Sequence, residues 1–98
     1  MKNLAKIAQY PGGDLIAKGI EDYAAGQRTI PACLVAIAAS TLRQIGLPIS
    51  ASPAHIIPEP EHKLYELLRL EPGDAYSQYN AFLRQLTSFI RAAHAVEP

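Results

Sequence analysis

The sequence has little of what marks secreted or membrane-spanning proteins. Its 98 residues include one cysteine, which cannot form an internal disulfide, and a short chain without a disulfide framework is typical of a reducing compartment. The apolar run over residues 31–39 is far shorter than the about 20 residues of a transmembrane helix. No apolar segment follows Lys2 and Lys6, as it would in a signal peptide. We therefore expect a cytoplasmic protein without a membrane partner.

An excess of either charge is also absent. Nine basic and nine acidic side chains cancel, whereas a dedicated nucleic-acid-binding protein usually has a basic excess, so this balance argues against nucleic acid as the main partner. Zero net charge removes the self-repulsion that keeps small proteins apart, which favours binding to a second copy or to a partner protein. The composition, 49% hydrophobic and 18% charged, predicts a single folded domain over residues 1–98.

The hydrophobic spacing predicts four helices, and no stretch alternates as a strand would. We expect an all-α fold, arranged as a small four-helix bundle-like domain. The N-terminal segment 1–13 precedes the helices, and residues 95–98 form a frayed tail. The helices are predicted over residues 14–25, from Pro31 to about residue 45, from Pro60 to about residue 69, and from Asp74 to about residue 94.

Residue types that begin and end helices mark the predicted boundaries. Asp14, Thr29 and Asp74 can each accept hydrogen bonds from the free amides of a first helical turn. Gly26 and Gly46 can end helices in a left-handed conformation. The boundaries of the first two helices and the start of the last therefore rest on local chemistry.

The connection over residues 47–59 is rich in proline, which predicts an extended segment between helices two and three. We expect it to cross one end of the domain, tethered to the core by Ile56 and Ile57. It could instead dock as a peptide into an aromatic groove of another protein, but it lacks a clean PxxP core with a flanking basic residue.

Two sets of residues are candidate interfaces with a protein partner or a second copy. Ala32, Ala36 and Ala39 give helix two a side of small residues that a second backbone could approach closely; alternatively, these alanines face water, since alanine is the best helix former. Tyr76 and Tyr79 lie beside polar residues at the start of the last helix, and tyrosine suits both the rim of a core and protein interfaces.

The residues with possible catalytic or metal-binding chemistry favour ordinary structural interpretations. Cys33 lies in the first turn of helix two, where a thiolate is stabilised, but no histidine is near it in the sequence, so a buried structural residue is favoured. The cluster His55, Glu59, Glu61 and His62 lacks the spacing of a metal site and fits a solvated acidic helix start. We expect no catalytic residue, cofactor or metal.

Arg84 and Arg91 lie seven residues apart on the outer side of the last helix, where they could bind an anion or a nucleic-acid backbone, although two arginines on a solvated face are common. Catalysis needs several polar groups in one pocket, and so short a chain leaves little room for them. The sequence therefore favours a non-enzymatic interaction or regulatory module that self-associates. Anion or nucleic-acid binding is the alternative, followed by an enzyme or metal protein using Cys33 or residues 55–62.

Overall fold

The computed structural model describes residues 7–96, which form helices and no strand. The all-α prediction is confirmed. Within these residues the radius of gyration is 12.8 Å, close to the roughly 13 Å expected of a compact domain of this length. The predicted N-terminal segment and tail fall partly on residues 1–6 and 97–98, which lie outside the described residues. The helices are α1 (Gly13–Ala24), α2 (Ile30–Ile37), α3 (Ala39–Ile45), α4 (Pro60–Arg69) and α5 (Ala75–Val96).

The second predicted helix is interrupted, so the prediction of one helix to about residue 45 was wrong. Ala38 has φ −109° and ψ 18°, outside the helical range, and separates α2 from α3. Neither proline nor glycine lies at the break, so the local sequence does not predict it. The physical reason is packing: α2 packs mainly against α1 and α4 and also contacts α5, whereas the main contact of α3 beyond its junction with α2 is with α5. Tertiary contacts here override the helix-forming preference of alanine.

Local signals placed most of the other boundaries correctly. The Thr29 hydroxyl accepts a hydrogen bond from the Ala32 amide at 3.3 Å, and Pro60 is the first residue of α4. The Asp74 carboxylate accepts the Ser77 amide at 3.3 Å at the start of α5. These N-terminal signals are confirmed because each depends on residues within one helical turn.

The predicted N-cap at Asp14 was wrong. α1 begins one residue earlier, and its N-cap is Gly12, which has φ 73° and no side-chain hydrogen bond to the helix. Asp14 lies exposed in the first turn, where its charge still complements the positive helix terminus. The helix ends predicted at Gly26 and Gly46 are confirmed, with left-handed φ of 78° and 105°.

α1 and α4 flank α2, so α2 is buried on most of its circumference. The core forms around α2. α1 approaches α2 closely at Gly19: a methyl group there would overlap the Pro31 carbonyl oxygen and lie 2.7 Å from Val35 Cγ2. This explains why the apolar segment beginning at residue 31 has few polar atoms. The largest side chains that are fully buried are Ile7, Ile16, Cys33, Leu34, Val35, Leu42, Leu64, Leu68 and Phe89.

The connection over residues 47–59 contains no α-helix, only a short 3-10 turn at Pro53–His55. Ile57 is buried, as predicted, but Ile56 is 56% exposed and does not tether the segment. Leu47 and Ile49 are buried instead. The connection is therefore attached to the core mainly through its two ends.

Candidate functional site

The small-residue side of the second predicted helix is largely used inside the chain. Ala32 is fully buried, so it offers no surface to a second copy; its selection as an interface residue was wrong, because α2 is enclosed by its own neighbours. Ala36 and Ala39 are half-buried and pack against the core. Only a part of this side is therefore accessible to a partner.

The two tyrosines selected as a candidate interface differ in their surroundings. Tyr76 is 65% exposed, whereas Tyr79 is half-buried. The ring of Tyr79 meets the ring of Tyr65 edge-on, with centroids 5.8 Å apart and planes at 67°. This contact joins α5 to α4, so Tyr79 contributes to the fold as well as to the surface.

An exposed apolar surface that was not predicted from the sequence lies at the end of α4 and at the start of α2. Leu70 is 82% exposed, and Leu67 is half-buried beside it. Two adjoining grooves that are open to solvent share these leucines. We call this the Leu67–Leu70 surface, and its residues are Arg28, Thr29, Ile30, Pro31, Lys63, Glu66, Leu67, Arg69, Leu70 and Glu71.

The spacing of the leucines on α4 could have revealed this surface. Leu64 and Leu68 are four residues apart and face the core, where both are buried. Leu67 and Leu70 are three apart and follow a second line along the helix. One core-facing stripe therefore does not account for every leucine here, because the second line runs from the half-buried Leu67 to the exposed Leu70.

Charges of both signs surround the two leucines. Lys63, Glu66 and Arg69 line the groove on the α4 side, and Glu71 and Arg28 line the groove that opens towards α2. None of these five side chains is buried. A partner placed on the leucines would therefore meet a mixed polar rim, the usual anatomy of a protein–protein interface.

Arg84 and Arg91 lie together on α5, as predicted from their spacing. Both are exposed and line one open groove, with no carboxylate among its lining residues. The Thr87 hydroxyl in the groove donates to the Leu83 carbonyl at 3.0 Å. The groove can offer guanidinium, hydroxyl and amide donors to an anion, and its remaining lining residues are Asn80, Leu83, Thr87 and Ser88.

Cys33 lies in the core and not at a reactive site. It is fully buried at the start of α2, and burial raises the pKa of its thiol to about 11, against smaller lowering effects of Lys63 and Arg28. At neutral pH the thiol is therefore protonated and inaccessible, which favours the structural interpretation.

The residues considered as metal ligands do not form a metal-binding cluster in the described part of the chain. His55 is on the 3-10 turn, and His62 on α4 lies 3.4 Å from the Glu66 carboxylate, one turn further along the same helix. Within residues 7–96, no three His, Cys, Asp or Glu side chains come together in a way that could hold a metal ion.

A Ser–His contact in the connection was not predicted. The Ser50 hydroxyl lies 2.8 Å from His55 Nδ1, the geometry of a nucleophile and its base. The same hydroxyl accepts the Ser52 amide at 3.3 Å, and the Ser50 carbonyl accepts Arg43 at 2.7 Å. Within residues 7–96 no carboxylate forms a hydrogen bond or ion pair with His55, so the contact does not form a triad. The Arg43–Ser50 hydrogen bond joins the connection to α3.

Comparisons with protein-family models, with curated proteins and with solved structures found no match to this chain. In the part of the chain that the structure describes, none of the helices has the length and apolarity to cross a bilayer. Any function must therefore be inferred from the surfaces described above.

Proposed function

We propose that this chain is a small cytoplasmic interaction or regulatory module, not an enzyme, that binds by covering its exposed apolar surface and that self-associates. The observation that carries the proposal is the exposure of Leu70, which is 82% accessible to solvent beside the half-buried Leu67. Contiguous apolar surface of this kind, rimmed by polar residues, is typical of binding sites.

The proposal is also supported by how the remaining chemistry is distributed. The only thiol is buried with a raised pKa. Among the described residues, no carboxylate bonds to His55 to complete a triad with the Ser50–His55 contact. Zero net charge favours association. Tyr76, Tyr79, Ala36 and Ala39 stay candidate contributors to an interface, and Tyr76 is the most exposed of them.

The test is the molar mass in solution, measured by light scattering from low micromolar to near-millimolar concentration. We expect the mass to rise from that of a monomer, 10.6 kDa, to that of a dimer. A mass of 10.6 kDa over the whole range would contradict self-association.

The groove of Arg84 and Arg91 supports a second candidate function, binding of a polyanion such as a nucleic-acid backbone. Two arginines and no carboxylate line it. If it binds, retention on heparin should fall steeply with salt, and a double change of Arg84 and Arg91 to alanine should abolish retention. Arg69→Ala, which removes one arginine from α4, is the control and should leave most of the retention. Absence of retention at low salt would reject this candidate.

A further inference from the structure

The Leu67–Leu70 surface carries two properties that together specify an occupant. The first is an apolar side chain that is exposed to solvent. Leu70 is more exposed than Ile56 or Tyr76, the other large hydrophobic residues that are exposed in the described part of the chain. Burying an exposed leucine is favourable because it removes apolar surface from water. A partner of any kind would gain this energy, so the leucine alone does not identify one.

The second property is the order of charges along α4. Lys63 precedes Leu67 by four residues, and Glu71 follows it by four. With a rise of about 1.5 Å per residue, each charge lies about 6 Å from Leu67 along the helix axis, in opposite directions. Glu71 follows the last residue of α4. Because Leu70 before it keeps helical backbone angles, Glu71 lies within a turn of the position that a continued helix would give it. Opposite charges are thus placed symmetrically about Leu67.

With a two-fold axis at Leu67, this order of charges on one α4 helix is complementary to the same order on a second copy. In an antiparallel pair of α4 helices, Lys63 lies opposite Glu71 of the second copy, and the reverse contact repeats on the other side. The two Lys63 side chains are then separated by about eight residues of rise, or 12 Å, beyond the range at which exposed charges repel strongly.

We propose that the Leu67–Leu70 surface is a self-interface, in which α4 packs antiparallel against α4 of a second copy, with Leu67 and Leu70 at the centre and Lys63–Glu71 pairs at the two ends. Two-fold dimers are the commonest oligomers and require a self-complementary patch. A basic or an acidic partner would instead attract the charges of one sign on this surface and repel those of the other sign. This proposal rests on the proposed function, of which it specifies the partner and the geometry.

The first experiment compares two exposed aliphatic residues. Leu70→Asp places a carboxylate at the centre of the interface, and Ile56→Asp makes the same type of change at a residue that is 56% exposed on the 47–59 connection. Sedimentation velocity over a concentration series should show loss of the dimer for Leu70→Asp and an unchanged dimer for Ile56→Asp. Circular dichroism checks that both variants stay folded, as expected at exposed positions.

The second experiment tests the charge pairs with variants that keep the apolar centre intact. Lys63→Glu and Glu71→Lys should each raise the dimer dissociation constant about tenfold, because one substitution creates two like-charge contacts across the axis. Mixing the two single variants should restore wild-type affinity, since both contacts of the mixed dimer then join opposite charges. A contact within one chain cannot be restored by mixing.

The outcomes separate the two proposals. Restoration on mixing, together with loss of the dimer in Leu70→Asp, supports the antiparallel α4 interface. A dimer that tolerates Leu70→Asp, or single charge variants whose dissociation constants mixing does not restore, overturns this interface and leaves self-association standing. A wild-type protein that is monomeric at every concentration overturns both.

Discussion

The Thr29 hydroxyl donates a 2.7 Å hydrogen bond to the carboxylate of Asp22, joining the end of α1 to the start of α2. Asp22 is 4% exposed, and its other oxygen lies 3.1 Å from Lys18. The same Thr29 oxygen accepts the amide of Ala32. One hydroxyl thus caps α2 and satisfies a buried charge, and this contact fixes the α1–α2 pair on which the core is built.

Thr29→Val should destabilise the protein by about 1–3 kcal/mol. The change keeps the shape of the side chain but removes the cap and one partner of the buried carboxylate. Thr87→Val is the matched control, since the Thr87 hydroxyl is exposed and bonds only within α5, and it should change stability by less than about 0.5 kcal/mol. Urea denaturation measures both values, and equal effects would refute the role of Thr29.

Asp22 should make the stability of the protein depend on acidic pH. The Thr29 hydrogen bond, aided by Lys18, lowers the pKa of this carboxyl from its usual 3.8, although burial acts in the opposite direction. Because the folded pKa lies below the unfolded one, the ionised carboxylate contributes stability that is fully present above the unfolded pKa. This contribution is lost as the pH falls through the folded pKa.

The measurement is the free energy of unfolding between pH 7 and pH 2 for the wild type and for Asp22→Asn. The difference between them should shrink as the pH falls below about 4. Asp74, whose pKa is lowered mainly by its hydrogen bond to Ser77, titrates in both proteins and does not affect this difference. Glu21→Gln, which removes an exposed carboxylate from the same helix, is the control and should change stability at pH 7 by less than about 0.5 kcal/mol. A difference that is constant with pH would contradict the prediction.

Sequence reasoning succeeded where a feature depends on neighbours within one turn. The cap at Thr29 and the helix end at Gly46 are of this kind, because the hydroxyl or the absent side chain acts on adjacent backbone. It failed at Ala38, where α2, packed mainly against α1 and α4, gives way to α3 on α5, because these contacts join residues distant in the chain. It missed Leu70, although the helical spacing places this leucine off the core-facing line of Leu64 and Leu68.

Cys33 should be unreactive in the folded protein. Its thiol is fully buried and its pKa is raised to about 11, so both access and the thiolate fraction are low at neutral pH. A chromogenic disulfide reagent at pH 8 should label less than a tenth of the thiol within minutes, and all of it in guanidinium. Ser40→Cys adds an exposed thiol on α3 as a positive control, and it should react at once. Rapid labelling of the native wild type would show that the core opens readily at α2.

Gly19→Ala brings two effects of opposite sign into competition, and their balance tests the α1–α2 contact. In a free helix the change would stabilise by about 1 kcal/mol, because alanine favours helix over glycine. Here the added methyl group would overlap the Pro31 carbonyl oxygen, which belongs to the backbone and cannot rotate away, and would press on Val35 Cγ2 at 2.7 Å. Separating the two helices to relieve this overlap loosens the packing of the core.

We therefore expect Gly19→Ala to lower the free energy of unfolding by about 1–3 kcal/mol despite its better helix propensity. Glu21→Ala, an exposed substitution on the same helix, gains propensity without a clash and should change stability by less than about 0.5 kcal/mol. Urea denaturation of both variants and of the wild type measures these free energies of unfolding. If Gly19→Ala proved as stable as the wild type, α1 and α2 would have to lie further apart than they do here, and α2 would be less enclosed.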